Sequence, residues 1–335
     1  MSSTQDNVES HRSSYMWMML PPDPEYIFIS DMESILCLTH RLSNGVESIL
    51  AGTQSGHVHI WNIKTKRQIS SFKSGEDSCI SINIPQQEQE DDVVITQNKS
   101  GEITFWRDTD HQWSCVSRIT TDFFGFCKAV LFKGVIFVPQ KNGYFHTISV
   151  NTRDTLNRTR LINGDNLGDI MAFKIIVLNN ETHMLVAYEG QKLILWFLNK
   201  SSEISSLQMT ECPMALDFDV KRNKGIYGNP TDQIVVFSLG KNLELKVDKT
   251  VSLVNPGVAS VQIRPDSKLV AVGCWDGKLR LYSWKTLTLL AALDVHSSTV
   301  QDVSFFRSVN INGKIKFLLL AGSKDKKISL WDIYN

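Results

Sequence analysis

The 335-residue sequence lacks the marks of several large protein classes. Lys and Arg together number 35, as do Asp and Glu, so no net charge attracts nucleic acid or an acidic membrane surface. No apolar run approaches the roughly 20 residues that span a bilayer. The apolar stretch Tyr15–Leu20 is shorter than the core of a signal peptide. We therefore expect no nucleic-acid partner, no membrane segment, and a location in the cytoplasm, with a nuclear pool left open.

The six cysteines form neither a metal-binding nor a disulfide pattern. None stands in a Cys-x-x-Cys pair, and no histidine cluster has the spacing of metal ligands. Most of them lie in apolar, strand-like runs such as SCISI and GFCKAV, where buried reduced thiols are expected. Free thiols are typical of the cytosol and nucleus rather than of secreted proteins. The sequence predicts no metal site and no bound cofactor.

Catalytic motifs are missing as well. GCWDGKL (Gly273–Leu279) contains Gly-Lys, but a phosphate-binding loop needs four residues between its glycines and Ser or Thr after the lysine. Here three residues separate the glycines and a leucine follows the lysine. No G-x-S-x-G elbow and no H-E-x-x-H helix is present. We predict that the chain is not an enzyme and has no catalytic residues.

What the sequence does contain is a repeat. Seven segments share one frame, in which a short apolar strand and a small or polar turn precede a second strand that alternates toward a large residue. These large residues recur at intervals of 41 to 49 residues, close to the ~40–45 typical of a four-stranded propeller blade. Period-two alternation and β-branched residues favour strands throughout. The seven large residues are Trp61, Trp106, Ile148, Trp196, Phe237, Tyr282 and Trp331.

Seven such units predict an all-β protein, a seven-bladed β-propeller in which a closed ring hides the faces of every sheet. We expect residues 25–335 to form this single propeller. Residues 1–24 begin with a polar, serine-rich stretch and are expected to be poorly ordered.

The pattern also predicts how the ring closes. Blade seven has three strands but no fourth, while a spare strand at Glu25–Ser30 precedes blade one. An open strand edge invites aggregation, so pairing the spare strand with the third strand of blade seven, Ile328–Ile333, would cover it. We expect this N-terminal strand to complete the last blade.

The hairpin pattern resembles the WD-repeat family. In that family a His before the inner strand, a Ser or Thr on the second strand, an Asp in the following turn and a Trp on the third strand form a hydrogen-bonded set. By this resemblance, blade seven supplies all four members: His296, Ser323, Asp325 and Trp331. A His that bridges a hydroxyl and a carboxylate, next to the single indole donor, would satisfy a buried polar chain. The other blades keep fewer of these residues and are assigned by period.

The resemblance is closer to one branch of the family, the G-protein β-subunit-like proteins and the related fungal ASTRA-associated subunits. It is carried by NPGVASVQIRPDSKLVAVGCWDGKLRLYSWKTL and LLAGSKDKKISLWDIY and is strong over residues 20–75 and 210–335. It implies a non-enzymatic cofactor of the Tel2–Tti1–Tti2 co-chaperone, which supports the maturation and stability of phosphatidylinositol-3-kinase-related kinases. A G-protein γ subunit is not expected as a partner, because residues 1–24 hold three prolines and no heptads. We expect a monomer.

Another class stays open, in which the propeller is the substrate receptor of a cullin-type ubiquitin ligase or another generic WD-repeat adaptor. Such receptors often carry Trp-Asp-x-Arg after the third strand. This chain has Trp331-Asp-Ile-Tyr and Trp61-Asn-Ile-Lys instead.

The turns between second and third strands supply a candidate partner-binding rim. In the shared frame, the residue before the Asp position is Trp275 in one blade and a lysine in three, Lys99, Lys141 and Lys324. Three lysines on one rim predict a local basic surface, and Trp is enriched at interface hot spots. The alternative is that Trp275 folds back over its neighbour blade and the lysines only keep the rim soluble.

Overall fold

The computed structural model describes residues 22–85, 93–122, 124–161, 167–309 and 315–334. Within them, 28 strands form seven four-stranded sheets, the blades of one propeller. The predicted fold class is confirmed. The stretch Gln86–Asp92 (QQEQEDD), whose composition predicts a solvated loop between two strands, lies outside the described residues, as do residues 1–21 of the segment expected to be poorly ordered.

Six of the blades take four consecutive strands each, all paired antiparallel with their neighbours. Blade 1 holds β2 (Ile35–Ser43), β3 (Val46–Thr53), β4 (His57–Asn62) and β5 (Gln68–Lys73), and blade 2 holds β6 (Cys79–Asn83), β7 (Val93–Asn98), β8 (Glu102–Thr109) and β9 (Gln112–Thr120). Blade 3 holds β10 (Val130–Phe132), β11 (Val135–Pro139), β12 (Tyr144–Ser149) and β13 (Thr155–Arg160), and blade 4 holds β14 (Ile170–Leu178), β15 (Glu181–Tyr188), β16 (Lys192–Phe197) and β17 (Ser202–Gln208). Blade 5 holds β18 (Ala215–Asp219), β19 (Lys224–Gly228), β20 (Gln233–Leu239) and β21 (Leu245–Ser252), and blade 6 holds β22 (Val258–Ile263), β23 (Leu269–Cys274), β24 (Leu279–Ser283) and β25 (Leu289–Leu293).

Blade 7 takes three strands from the end of the chain and one from its beginning. These are β26 (Val300–Val309), β27 (Ile315–Ser323), β28 (Ile328–Trp331) and β1 (Tyr26–Phe28), and short 3-10 turns at Lys141–Gly143 and Leu198–Lys200 complete the regular structure. No helix in the described part of the chain is long and apolar enough to cross a membrane.

Burial explains the contrast between the middle and outer strands. Each sheet packs between two others, so its middle strands are covered on both faces and read as continuous apolar runs. The second strand of blade 6, LVAVGC in β23, is buried at every position. The outer strand of blade 5, LKVDKTVS in β21, is exposed over most of its length and carries charges.

Strand β1 closes the ring as predicted. Phe28 pairs with Ile328, and the backbone N–H of Glu25 donates to the carbonyl of Leu330 at 2.7 Å. Phe28 is fully buried, with its ring centroid 5.4 Å from that of Trp61 in blade 1. β1 therefore covers the edge of blade 7 and packs against the neighbouring blade. It is three residues long, shorter than the six-residue strand expected.

A repeated hydrogen bond joins neighbouring blades along their inner strands. A carboxylate or amide oxygen on one inner strand accepts a backbone N–H from the inner strand of the next blade. A buried N–H without a partner costs about 1–3 kcal/mol, so these contacts stabilise the ring where main-chain pairing between blades stops. The acceptor and donor pairs are Asn83 with Leu131, Asp217 with Ile263, Gln262 with Phe305, and Asp302 with Leu38.

Candidate functional site

Blade 7 contains a buried chain of side-chain hydrogen bonds. Nδ1 of His296 lies 3.2 and 3.1 Å from the two carboxylate oxygens of Asp325, and its Nε2 lies 2.8 Å from Oγ of Ser329. The indole N–H of Trp331 donates to the same Oγ at 2.8 Å. Because an ionised carboxylate can only accept hydrogen bonds, Nδ1 of His296 donates to Asp325, and the Ser329 hydroxyl bridges the indole and Nε2. The chain is satisfied from end to end.

This geometry corrects one member of the expected set. Ser323 lies beside the chain rather than in it, because its Oγ donates to the carbonyl of Ser298 at 2.9 Å and accepts the N–H of Asp325 at 3.1 Å. Ser329 is the bridging hydroxyl. It stands two residues before Trp331 on β28, and period two puts both side chains on the same face of the strand.

The carboxyl of Asp325 is held in its charged form. Burial raises its pKa, but this effect is outweighed by the contact with His296 and by the backbone N–H groups of Ser297 and Lys327. The net result is a pKa below the ordinary value of 3.8. A depressed pKa in the folded state means that Asp325 contributes stability above the ordinary pKa, and that this contribution is lost as pH falls through the folded value.

We therefore expect Asp325→Asn to flatten the acid limb of the stability curve. The substitution lowers the free energy of unfolding at neutral pH, but the further decline below about pH 4 should be shallower than in wild type. Urea unfolding between about pH 6 and pH 3 measures this slope. Asp122→Asn, which changes an exposed carboxyl, should leave the wild-type slope unchanged. Parallel curves for wild type and Asp325→Asn would contradict the assignment.

Other blades keep only parts of the hydrogen-bonded set seen in blade 7. In blade 2 the indole N–H of Trp106 donates to Oγ1 of Thr96 at 2.9 Å, whereas the indole N–H of Trp61 in blade 1 has no hydrogen-bond partner among the described residues. In blade 6 Asp276 pairs instead with Arg280, at 2.6 and 2.9 Å. Burial raises the pKa of Asp276, but Arg280 and two further donors lower it to about 2.

The predicted rim residues all lie on one face of the propeller. The turn between second and third strands and the loop that enters the first strand share this face, because successive strands of a blade run in opposite directions. In blades 6, 7, 1 and 2 these turns are joined by one hydroxyl residue per blade boundary. Its carbonyl accepts the N–H of the rim residue in its own blade, and its Oγ donates to the rim carbonyl of the preceding blade, at 2.9 to 3.4 Å. The resulting rim arc runs in the order Trp275, Thr299, Lys324, Ser34, Gln54, Ser78 and Lys99.

The structure thus brings three of the four predicted rim residues onto one hydrogen-bonded arc. Lys141 is exposed on the same face in blade 3 but lies outside the arc. Trp275 is 43% exposed, and its ring rests on Gly257, where a β-carbon would come within 2.2 Å of the indole. Gly257 has φ +97°, a conformation that favours glycine. The indole therefore packs on the loop that enters its own blade and keeps much of its surface open.

The three rim lysines differ from four other lysines of this face in their ion pairs. Among the described residues, no carboxylate lies within salt-bridge distance of Lys99, Lys141 or Lys324. Four others are neutralised, in the pairs Lys73 with Glu76, Lys128 with Asp302, Lys278 with Asp294, and Lys326 with Glu33.

The same face turns acidic over blades 4 and 5. Four exposed carboxylates lie on the loops and turns there: Asp169, Glu189, Glu211 and Asp232. The basic surface expected from the sequence is therefore confined to one side of the face, where the rim arc lies. In the described part of the chain, no three His, Cys, Asp or Glu side chains gather where a metal ion could bind.

Comparison with known proteins agrees with this architecture. The family model described as "WD domain, G-beta repeat" matches residues 249–283 and 287–332, which fall on blades 5 to 7. The chain is thus a seven-bladed β-propeller in which these two segments match the repeat of that family.

Similarity to two kinds of individual protein is more specific than the match to the family model. The chain is similar to guanine nucleotide-binding protein subunit beta-like protein 1 of Mus musculus, with 28% identity over 328 residues, 94% of this chain and 97% of that protein. It is also similar to ASTRA-associated protein 1 of Schizosaccharomyces pombe, 37% identical over 78 residues, and of Schizosaccharomyces japonicus, 38% identical over 80 residues. These fungal matches cover 23% and 24% of this chain but only 19% and 20% of the fungal proteins.

Proposed function

We propose that this chain is a non-enzymatic WD-repeat adaptor and a cofactor of the Tel2–Tti1–Tti2 co-chaperone, with phosphatidylinositol-3-kinase-related kinases as the clients whose maturation and stability it supports. The observation that carries the proposal is the joint similarity to the mouse β-like protein over nearly the whole chain and to two ASTRA-associated proteins over part of it. We place the protein in the cytoplasm, with a nuclear pool open, as a monomer.

The rim arc is the surface that we assign to the partner. A ring of packed blades holds its turns rigidly, so little conformational entropy is lost when a partner docks on them. Trp275 offers a half-exposed indole, and Lys99 and Lys324 offer ammonium groups that the described chain leaves without carboxylates. Asp31 is also exposed on this side, whereas the exposed carboxylates of Glu33, Glu76 and Asp294 are paired with lysines. The surface suits an acidic, partly apolar region of a co-chaperone subunit or client.

We expect Trp275→Ala to weaken partner recovery by about 2 kcal/mol or more, as truncation of a hot spot does. The melting temperature should stay near the wild-type value, because the indole of Trp275 lies on the surface. Charge reversal at Lys99, Lys141 and Lys324 should weaken recovery further, and more strongly at low salt than at high salt. The measurement is affinity purification of the tagged chain from cells, followed by mass spectrometry for Tel2, Tti1 and Tti2.

Lys200→Glu, on the opposite face, is the control for these charge changes. Undiminished recovery by a folded variant with all four rim substitutions would move the docking surface to another face. Failure of the wild-type chain to recover the co-chaperone would contradict the proposed function. Recovery of cullin adaptor subunits in its place would favour the ubiquitin-ligase receptor.

A further inference from the structure

The loop between β9 and β10 presents two large aromatic side chains to solvent at one end of the rim arc. Phe124 is 61% exposed and Phe126 is 73% exposed. The backbone N–H of Gly125, between them, donates to the carbonyl of Lys99 at 3.3 Å and so holds this part of the loop over the turn of blade 2. Single exposed apolar side chains are common, but core packing does not explain two neighbouring exposed rings on one turn.

These two rings enclose the side chain of Lys99. Its Nζ lies 4.3 Å from the ring centroid of Phe126 and 5.1 Å from that of Phe124. Both distances are within the ~6 Å at which a cation is attracted to an aromatic ring. The ammonium is therefore held in one place, and a ligand that binds it loses less side-chain entropy than one that must order a free lysine.

No carboxylate of the described residues lies within salt-bridge distance of Lys99, although acidic residues flank its turn. Asp77 accepts the backbone N–H of Ser100 at 2.6 Å. Glu76 pairs with Lys73, and Asp122 lies 3.5 Å from the guanidinium of Arg158. Each of these acids bonds another group, and in the described part of the chain none of them forms an ion pair with the ammonium between the two phenyl rings.

Lysines above phenyl rings also occur on the opposite face, but in a different setting. Lys200 lies 5.8 Å from the ring centroid of Phe197, and Lys133 lies 5.2 Å from that of Phe132. Each uses a single ring, and both rings are half-buried. There the lysine stem covers apolar surface of the fold. The pairing of one ammonium with two exposed rings at Lys99 leaves apolar surface and charge open together.

We propose that Phe124, Lys99 and Phe126 form a docking site for an extended acidic segment of a partner protein. A carboxylate of the segment meets the ammonium of Lys99, and a neighbouring large apolar side chain lies on the open face of Phe126. The carboxylate supplies the counter-charge that the described chain lacks, and the apolar side chain removes ring surface from water. Lys324, further along the rim arc, receives a second acidic residue. This proposal rests on the proposed adaptor function, because a docking site needs a protein partner.

The test uses the full chain and fluorescently labelled synthetic peptides. The probe peptide alternates glutamate with leucine and phenylalanine. One control peptide has lysine in place of each glutamate, and a second has serine in place of each apolar residue. Fluorescence anisotropy should show that wild type binds the probe peptide and neither control, and that binding weakens as salt is raised.

Variants connect this binding to the three residues. Lys99→Glu and the double variant Phe124→Ala/Phe126→Ala should each bind the probe peptide at least about tenfold more weakly than wild type. Lys200→Glu, which reverses the charge of a lysine above a ring on the opposite face, should bind it as wild type does. Lys99→Glu should in turn bind the lysine peptide about tenfold better than wild type does, because the attraction is restored with opposite signs.

The proposal is overturned if wild type does not bind the probe peptide, or if both site variants bind it as wild type does. Thermal unfolding of each variant, expected at the wild-type temperature, separates lost binding from lost folding. Site-dependent peptide binding without recovery of Tel2–Tti1–Tti2 from cells would keep the docking site and reject the proposed function. Recovery of the complex from cells, together with peptide binding that does not change in the site variants, would keep the proposed function and reject the docking site.

Discussion

Removing residues 25–30 should abolish cooperative folding of the ring. The deletion takes away the strand that pairs with β28 and the fully buried ring of Phe28, which packs in one cluster with Ile328 and Trp61. Loss of a buried Phe side chain alone typically costs about 3–5 kcal/mol. A typical domain is stable by only about 5–15 kcal/mol, so this loss together with the lost strand pairing removes most of it. Urea unfolding and gel filtration measure the effect, with aggregation expected from the exposed edge.

Two neighbouring residues give a matched pair for the same claim. Phe28→Ala should lower the free energy of unfolding by about 3–5 kcal/mol, whereas Ile29→Ala should change it by less than about 0.5 kcal/mol because Ile29 is 61% exposed. Removing residues 2–14 is the control for chain shortening and should have little effect. A soluble protein that still melts cooperatively without residues 25–30 would refute non-covalent closure by β1.

The blade count and the closure could be predicted because both depend on features repeated along the chain. A period of 41 to 49 residues and a two-strand hairpin in every period leave little choice of architecture. The strand ends were less accurate, since they depend on tertiary pairing. The apolar alternation over Ser34–Thr39 predicts an inner strand of blade 1, but β2 extends to Ser43, where Asn44 and Gly45 both adopt positive φ in a two-residue turn. Asn-Gly between apolar strands is a strong hairpin signal that could have placed this end.

The candidate sites show the same division between local and distant information. Ser329 could have been preferred to Ser323 from sequence, since a residue two positions before Trp331 shares its face. The contact of Phe124 and Phe126 with Lys99 could not be predicted, because it joins a turn to a loop about 25 residues away whose path is set by β8 and β9. The hydroxyl residues of the rim arc, Thr299, Ser34 and Ser78, each precede an inner strand, but the carbonyl to which each hydroxyl donates lies on the turn of the preceding blade, so these bonds depend on how the blades pack.

Trp331→Ala should destabilise blade 7 about as strongly as Phe28→Ala. The indole is 1% exposed and packs in the cluster that joins blades 6 and 7, so its removal should cost about 3–5 kcal/mol through lost contacts and a cavity. It also removes the donor at one end of the chain that runs through Ser329 and His296 to Asp325. Trp275→Ala is the matched control, because the same side chain is lost from a position that is 43% exposed.

Substitutions of the other residues in this hydrogen-bonded set should each lower the free energy of unfolding by less, and their effects should not be additive. Asp325→Ala and Ser329→Ala each leave buried donors or acceptors unpaired, at about 1–3 kcal/mol apiece. The double variant should cost less than the sum of the two, because both act on the imidazole of His296. Urea unfolding at neutral pH gives all four free energies. Wild-type stability in Trp331→Ala and Asp325→Ala would mean that these residues are not structural, and loss of partner recovery at unchanged stability would make them part of the docking site instead.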